Sequence, residues 1–354
     1  MADNIVIDYT STPQMLEALK LEFRPNTFLK DRYFPDKEVF TTEEVLVEYK
    51  KGNRKMAPFV APEIDGKLMD REGYSATTYK PALIKPKRAL TIDDLSKKGF
   101  GEAFYQQLTK EERASKIAIE DLKEMRDAIS RRKEWMAAEV LQNNSITMKH
   151  YSDDNTKCKI KKISFYEGTD NPTKWTITTP WNSSNAKILE DVRSMVLDLN
   201  RNGHSGVELL MGSNVSSVLL ENEKILRLLD NRRADFGKFE PQEIFDEVTL
   251  FADLNCNGKR VKFIEYSASY EDEDGTMKPF IDPDSIIVIA PDLGMTRYGA
   301  ITQIDYGQTE FKTYAEKEVP LFAIKDQTRS QILQSAPLLM PKQFAPFRVA
   351  KVLS

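Results

Sequence analysis

A chain of 354 residues that is 40% hydrophobic and 30% charged can bury one large core or two ordinary ones, which excludes an intrinsically disordered protein. Its 51 basic and 55 acidic residues leave a formal net charge of -4, too even a balance for a dedicated nucleic-acid binder. Two cysteines, Cys158 and Cys256, and two histidines, His150 and His204, cannot supply the common structural zinc sites, so free thiols in a reducing compartment are expected.

The N-terminus, MADNIVIDYT, lacks the basic and then apolar pattern of a signal peptide, and no window approaches the roughly 18 apolar residues of a membrane span. Synthesis and folding in the cytoplasm are therefore expected. The first element, TPQMLEALKLEF (12–23), reads as a short helix: Thr12 caps it, Pro13 suits its first turn, and Met15, Leu16, Leu19 and Phe23 share a face. TFLKDRYFP (27–35) is aromatic-rich and should dock on another element.

In VFTTEEVLVEYK (39–50), Val45, Val47 and Tyr49 alternate with Glu44, Glu48 and Lys50, as in a half-buried strand. A turn, KKGNRK (50–55), leads into MAPFVAPEIDGKLMDREGYSATTYKPALIKPK (56–87), which has no helical period and is cut by prolines at 58, 62, 81 and 86. EIDGK (63–67) reads as a turn around Asp65-Gly66. Residues 39–90 thus predict a long two-stranded excursion, which is marginal alone in water and needs a surface to lie on.

The clearest helix spans 109–143. Thr109 followed by Glu112 is a capping box. Ala114, Ala118, Leu122, Met125, Ile129, Met136 and Val140 recur at steps of three and four, with one gap at Arg132–Lys133. The opposite face is assigned Glu111, Lys116, Glu120, Lys123, Glu124, Arg126, Arg131, Lys133 and Glu134. QNNS (142–145) stops the helix, whose length of about 50 Å suits a spine across a flat domain better than a coiled coil.

Strands follow at SITMKHY (145–151), TKCKIKKISFY (156–166) and KWTITT (174–179). A helix at 185–201 is stopped by Asn202-Gly203, and GVELLMG (206–212) is a buried strand. Ser213 is expected to cap a helix running on to Arg232. DEVTLFADL (246–254), KRVKFIEYSASY (259–270) and DSIIVIAP (284–291) are further strands, and YGAITQI with LFAIKDQTRSQILQSAPLLMP completes a β-rich final third. Strands in runs with helices between them, and no βαβ regularity, give an α+β class.

None of the fragments that could carry chemistry meets its requirements. RNGHSG (201–206) places His204 beside Ser205 on a turn, without a nucleophile elbow. MGSNVSS (211–217) lacks the glycines and the Gly-Lys-Ser/Thr of phosphate loops. EDEDG (271–275) would put Tyr270 at the first position of a calcium loop, so it reads as a solvated turn. KCKIKK (157–162) is a strand with a charged face set by Lys157, Lys159 and Lys161, suited to solvent, then to an acidic partner, and least to nucleic-acid phosphate. No catalytic residue, metal site or cofactor site is expected.

Three stretches, in order, resemble the lambda-like bacteriophage major capsid protein E family. They are FTTEEVLVEYKKGNRKMAPFVAPEIDGKLMDREGYSATTYKPALIKPK (40–87), PFIDPDSIIVIAPDLGMTRYGAI (279–301) and LQSAPLLMP (333–341). The resemblance implies a Hong Kong phage-type major capsid fold. It would comprise an N-terminal arm (1–38), an extended β-hairpin loop (39–90) and a peripheral domain (91–184) with spine helix 109–143. An axial domain (185–320) and return strands of the peripheral domain (321–354) would complete it. The implied function is that of a structural head protein assembling hexamers and pentamers of an icosahedral shell around double-stranded DNA, without sequence-specific contact and without a membrane. An encapsulin-like cargo compartment is the alternative. The implied partners are further copies of the chain, a separate scaffolding protein and a portal during assembly, with a decoration protein left open. Contacts with a neighbouring subunit are expected from Met56, Phe59, Val60, Ile64, Tyr74, Tyr79, Leu83 and Ile84 of the loop. The family carries no catalytic residues. Although Lys55 and Lys67 lie in the loop, no lysine–asparagine cross-link and a neutral to mildly acidic shell interior are expected.

Overall fold

The computed structural model describes residues 27–49, 75–91, 109–151, 158–166, 173–229, 237–256, 258–290, 292–325 and 328–353. The expected helix 12–23 and the turns at 50–55 and 63–67 lie outside the described residues.

The chain enters as a one-and-a-half-turn helix, α1 (Phe28–Tyr33), followed by β1 (Asp36–Val39) and β2 (Val45–Tyr49). After β3 (Ser75–Tyr79) and β4 (Lys87–Leu90) comes the spine helix α2 (Lys110–Asn143). Its capping box is formed: the Glu112 backbone N–H donates to Thr109 Oγ1 at 3.2 Å, and the Thr109 N–H donates to the Glu112 carboxylate at 2.8 Å. The helix ends at Asn144, whose left-handed conformation (φ 52°) suits asparagine. A hairpin of β5 (Ser145–Tyr151) and β6 (Cys158–Ser164) follows, then α3 (Ile188–Arg201) and β7 (Glu208–Met211).

Two short helices come next, α4 (Ser213–Glu221) and α5 (Glu223–Leu229), where one helix was expected. Asn222 breaks the run by turning its side-chain oxygen back to accept from the N–H groups of Lys224 and Ile225 at 3.1 and 3.2 Å. Ser213 is the first helical residue and not the cap. Gly212 holds the capping position, because a Cβ there would sit 2.4 Å from the Asp282 carbonyl oxygen. The strands β8 (Gly237–Phe245), β9 (Val248–Asn255) and β10 (Arg260–Tyr266) form a meander, and a hairpin of β11 (Ser269–Glu271) and β12 (Met277–Pro279) extends from it. The single strand expected over 259–270 is therefore two, divided at Ser267–Ala268. The remaining strands are β13 (Ser285–Ile289), β14 (Gly294–Tyr298), β15 (Ile301–Ile304), β16 (Phe311–Tyr314), β17 (Val319–Lys325), β18 (Thr328–Gln334), β19 (Pro337–Pro341) and β20 (Phe347–Lys351).

The central sheet has the order β20-β13-β7-β10-β9-β8 and is covered on both faces. Leu209, Met211, Ile286 and Val288 face α3 and α4, packing on Val192, Met195, Val196 and Leu199. Their neighbours Leu210, Ile287 and Ile289 point the other way, into the cluster that holds Met136, Val140 and Leu141 of α2. Burial on both faces explains why β13, SIIVI, is apolar without alternation. The expected strand KWTITT contributes only a bridge from Lys174 to Val349, closing the β20 edge. The opposite edge, β8, is bulged and carries Pro241, which blunts further pairing. Residues 347–351, within the range expected for the return strands, pair with β13 in this central sheet. The smaller sheets β1-β14-β19 and β17-β18-β4 lie along α2, whose Leu122, Met125 and Ile129 pack on Phe322 and Leu333.

Candidate functional site

Within the range expected for the excursion, 39–90, β2 and β3 form a paired stem, antiparallel from Val45↔Tyr79 to Tyr49↔Ser75. The alternation in VLVEY is realised, with Val45 and Val47 fully buried and Leu46 between them exposed. The stem is fastened at its base. Phe40 N–H donates to the Tyr298 carbonyl at 2.8 Å, Ala300 N–H to that of Thr42 at 2.9 Å, and Arg297 Nη1 to that of Leu46 at 2.6 Å. Gly299 is required here, since a Cβ would lie 2.9 Å from the Glu43 carbonyl oxygen.

Of the eight contact residues expected in this loop, Met56, Phe59, Val60, Ile64 and Tyr74 lie outside the described residues. Tyr79 is half-buried against its own chain, with its ring 5.8 Å from that of Phe165 and its hydroxyl donating to the Ser164 carbonyl at 3.1 Å. Ile84 bridges Ser335 and packs on two core clusters, one holding Leu122, Met125 and Ile129 of the spine and the other Met136, Val140 and Leu141. Leu83, between them, is 47% exposed and faces solvent.

A second constellation went unforeseen. It joins α1, β1, α2 and the segment leading into β17. The Glu134 carboxylate accepts from the backbone N–H groups of Leu29 and Lys30 at 2.7 and 2.9 Å, and from the Tyr266 hydroxyl at 2.8 Å. It thus satisfies the open N–H groups at the start of α1, a task a capping side chain usually performs locally. Burial raises the Glu134 carboxyl above its ordinary value, against these three donors. Glu318 accepts from Lys133 Nζ at 2.8 Å and from Arg126 Nε at 3.2 Å. Asp36 takes Lys317 at 2.7 Å, Lys30 at 2.9 Å and the Tyr298 hydroxyl at 2.8 Å. Burial alone would raise Asp36, but bonds from Lys317, Lys30 and Tyr298 outweigh it and hold the carboxyl well below the usual range.

Arg126, Lys133 and Glu134, expected on the solvent face of the spine, are therefore buried. The spacing carried a signal: Arg126 is four residues after Leu122 and Lys133 four after Ile129, so both continue the apolar stripe. Charged residues on a core-facing stripe need buried partners, and these come from Glu318, some 190 residues away in sequence as Arg126–Glu318 spans 192.

The other fragments tested for chemistry are structural. His204 Nε2 lies 3.0 Å from the Phe344 carbonyl oxygen, and the EDEDG turn is neutralised by Lys278, Arg132 and Lys149. Among the described residues no group of three metal-ligating side chains converges, and no helix is long and apolar enough to cross a membrane.

Comparison with known proteins identifies the family. The family model for phage major capsid protein E matches residues 11–352. The major capsid protein of Escherichia phage lambda is 22% identical over 366 residues, covering 96% of this chain and 99% of its own. That of Enterobacteria phage P21 is 24% identical over 357 residues, covering 96% and 98%. Among solved structures, an Escherichia coli CFT073 prophage protein described as a capsid protein superposes with a TM-score of 0.64 at 18% identity, over 96% of this chain and 98% of that one. A phage-related protein of Bordetella bronchiseptica RB50 superposes with a TM-score of 0.52 at 11% identity, over 96% of each chain. The fold is the α+β, Hong Kong phage-type capsid fold expected from the sequence, and with nearly its whole length matched the chain belongs to the phage major capsid protein E family.

Proposed function

We propose that the chain is the structural head protein of a tailed bacteriophage, building hexamers and pentamers of an icosahedral shell that encloses double-stranded DNA. The match over residues 11–352 carries this reading. The chain divides, on this reading, into an arm (1–38), an extended loop (39–90), a peripheral domain (91–184 and 321–354) and an axial domain (185–320). The virion is its destination and the host cytoplasm its place of assembly. Scaffolding protein, portal and packaged DNA are its transient or non-specific partners, and it performs no catalysis.

The paired stem supports the loop as the strap between subunits. Its register brings Tyr49 opposite Ser75, so the 25 residues between them can be excised and the stem rejoined. β4 pairs with β18, and Ile84 packs in the core, so excision must spare residues 75–90. Replacing residues 50–74 by Asn-Gly is expected to leave a folded subunit that assembles no closed shells, whereas the intact chain forms megadalton particles. Electron microscopy and sedimentation read both. A stable monomer or dimer from the intact chain defeats the shell reading, and closed shells from the excised chain defeat the strap.

A further inference from the structure

The β5–β6 hairpin is basic. Its two strands carry Lys149, Lys159, Lys161 and Lys162 and no acidic residue. The register, Lys149↔Ile160 and Thr147↔Lys162, sets Ile160 among these lysines, where it is 69% exposed. Lys149 faces Glu273 at 4.0 Å, and Lys161 donates to the Lys80 carbonyl at 3.2 Å. Among the described residues Lys159, Lys161 and Lys162, all exposed, make no ion pair.

The β8 edge has the opposite character. β8 and the turn after it carry Glu240, Glu243, Asp246 and Glu247 against a single Lys238. The four acidic side chains are exposed, and among the described residues none has an ion-pair partner. Ile244 and Phe245, 42% and 39% exposed, lie between them in sequence. Because bulges and Pro241 prevent the open edge from adding a strand, whatever covers it is held by side chains.

The two surfaces belong to opposite edges of the central sheet. The hairpin is rooted beside β20 through Tyr166, whose ring lies 4.8 Å from that of Phe344 and whose hydroxyl donates to the Gln343 carbonyl at 2.6 Å. β8 is the other edge, and with β20-β13-β7-β10-β9-β8 as the strand order it lies about 24 Å away. Their charges therefore match between copies and not within one. Complementary patches on opposite sides of one body make a head-to-tail contact, the kind that closes into rings. Nucleic-acid phosphate would suit the lysines but would leave Ile160 without an apolar partner, which Ile244 and Phe245 supply.

We propose that the β5–β6 hairpin of one copy docks on the β8 edge of the next, with Ile160 against Ile244 and Phe245 and the flanking lysines toward Glu240, Glu243 and Asp246. The ring that this contact would close rests on the shell reading, whereas the pairing of the two surfaces rests on their charge, exposure and placement.

The test is zero-length carbodiimide cross-linking of isotopically light and heavy full-length chains, mixed before assembly and mapped by mass spectrometry. Light–heavy adducts joining Lys159, Lys161 or Lys162 to Glu240, Glu243 or Asp246 are expected. Lys159→Glu with Lys162→Glu should lower the yield of sedimenting assemblies at least tenfold without changing the melting temperature, and adding Glu243→Lys with Asp246→Lys should restore it. Shells without these adducts overturn the contact and leave the shell reading standing, while the adducts in small oligomers that never close keep the contact and defeat the shell. No adduct in any fraction, or a yield indifferent to the reversal, overturns the contact. Salt-sensitive DNA binding lost with the same lysines, in the absence of light–heavy adducts, assigns the hairpin to nucleic acid and overturns it as well.

Discussion

Replacing Glu134 by alanine removes the one acceptor that three buried donors share: the Leu29 and Lys30 N–H groups and the Tyr266 hydroxyl. A hydrogen bond to a charged group contributes about 1.5–3 kcal/mol, and a buried donor left without an acceptor costs about 1–3 kcal/mol. Water entering the vacated space recovers part of this, so the net loss is set at about 3–5 kcal/mol, in the range for breaking a buried charged network. Unfolding entropy near 2.1 cal/mol/K per residue, over 354 residues, is about 0.74 kcal/mol/K, which converts the loss to a fall in melting temperature of about 4–7 °C. Glu134→Gln keeps one acceptor oxygen but turns an amide N–H₂ toward a backbone donor, and should lose about half as much. Calorimetry reads the shift, and hydrogen exchange at the Leu29 and Lys30 amides should show α1 loosening before the rest of the fold. Glu120→Gln, on the exposed face of the same helix, is the control and should shift by less than about 1 °C. If Glu134→Ala melts within 1 °C of the native protein, the carboxylate does not fasten α1 to the spine.

Asp36→Asn should be destabilising at neutral pH, where the carboxylate is ionised both folded and unfolded. Because the folded carboxyl is held below its ordinary 3.8, that contribution is present above 3.8 and fades as the pH falls through the folded value, so the deficit against the native protein closes in acid; a deficit independent of pH contradicts the network. Thr109→Ala opens the capping box and should cost about 1 kcal/mol, with first-turn amides of α2 exchanging faster; an unchanged exchange pattern removes the cap's role. The Cys256 thiol is buried and pushed up to about 12 by that burial, so iodoacetamide at pH 8 should leave its peptide unlabelled until denaturant is added, and rapid native labelling would refute the burial.

Elements whose residues interact along the chain were legible in the sequence. The capping box at Thr109 and Glu112, the stop at Asn144, the alternation of Val45 and Val47 and the apolar run SIIVI each follow from neighbours a few residues apart. The two strands of the stem were each legible as extended, helix-free stretches, although their pairing joins Val45 to Tyr79, and the likeness to the capsid family came from short stretches in fixed order. Three decisions lay beyond that range. The sequence does not say that Gly212 rather than Ser213 sits at the helix start, because the cause is the backbone of Asp282 and Pro283 pressing against it. It does not say that β20 joins the central sheet beside β13. Nor does it say that Arg126, Lys133 and Glu134 are buried, because their partners Glu318, Leu29 and Tyr266 are distant in the chain. Local periodicity fixes which face of an element is apolar. Whether a charge on that face stays in solvent or is drawn inside depends on a partner that only the tertiary fold brings within hydrogen-bonding distance.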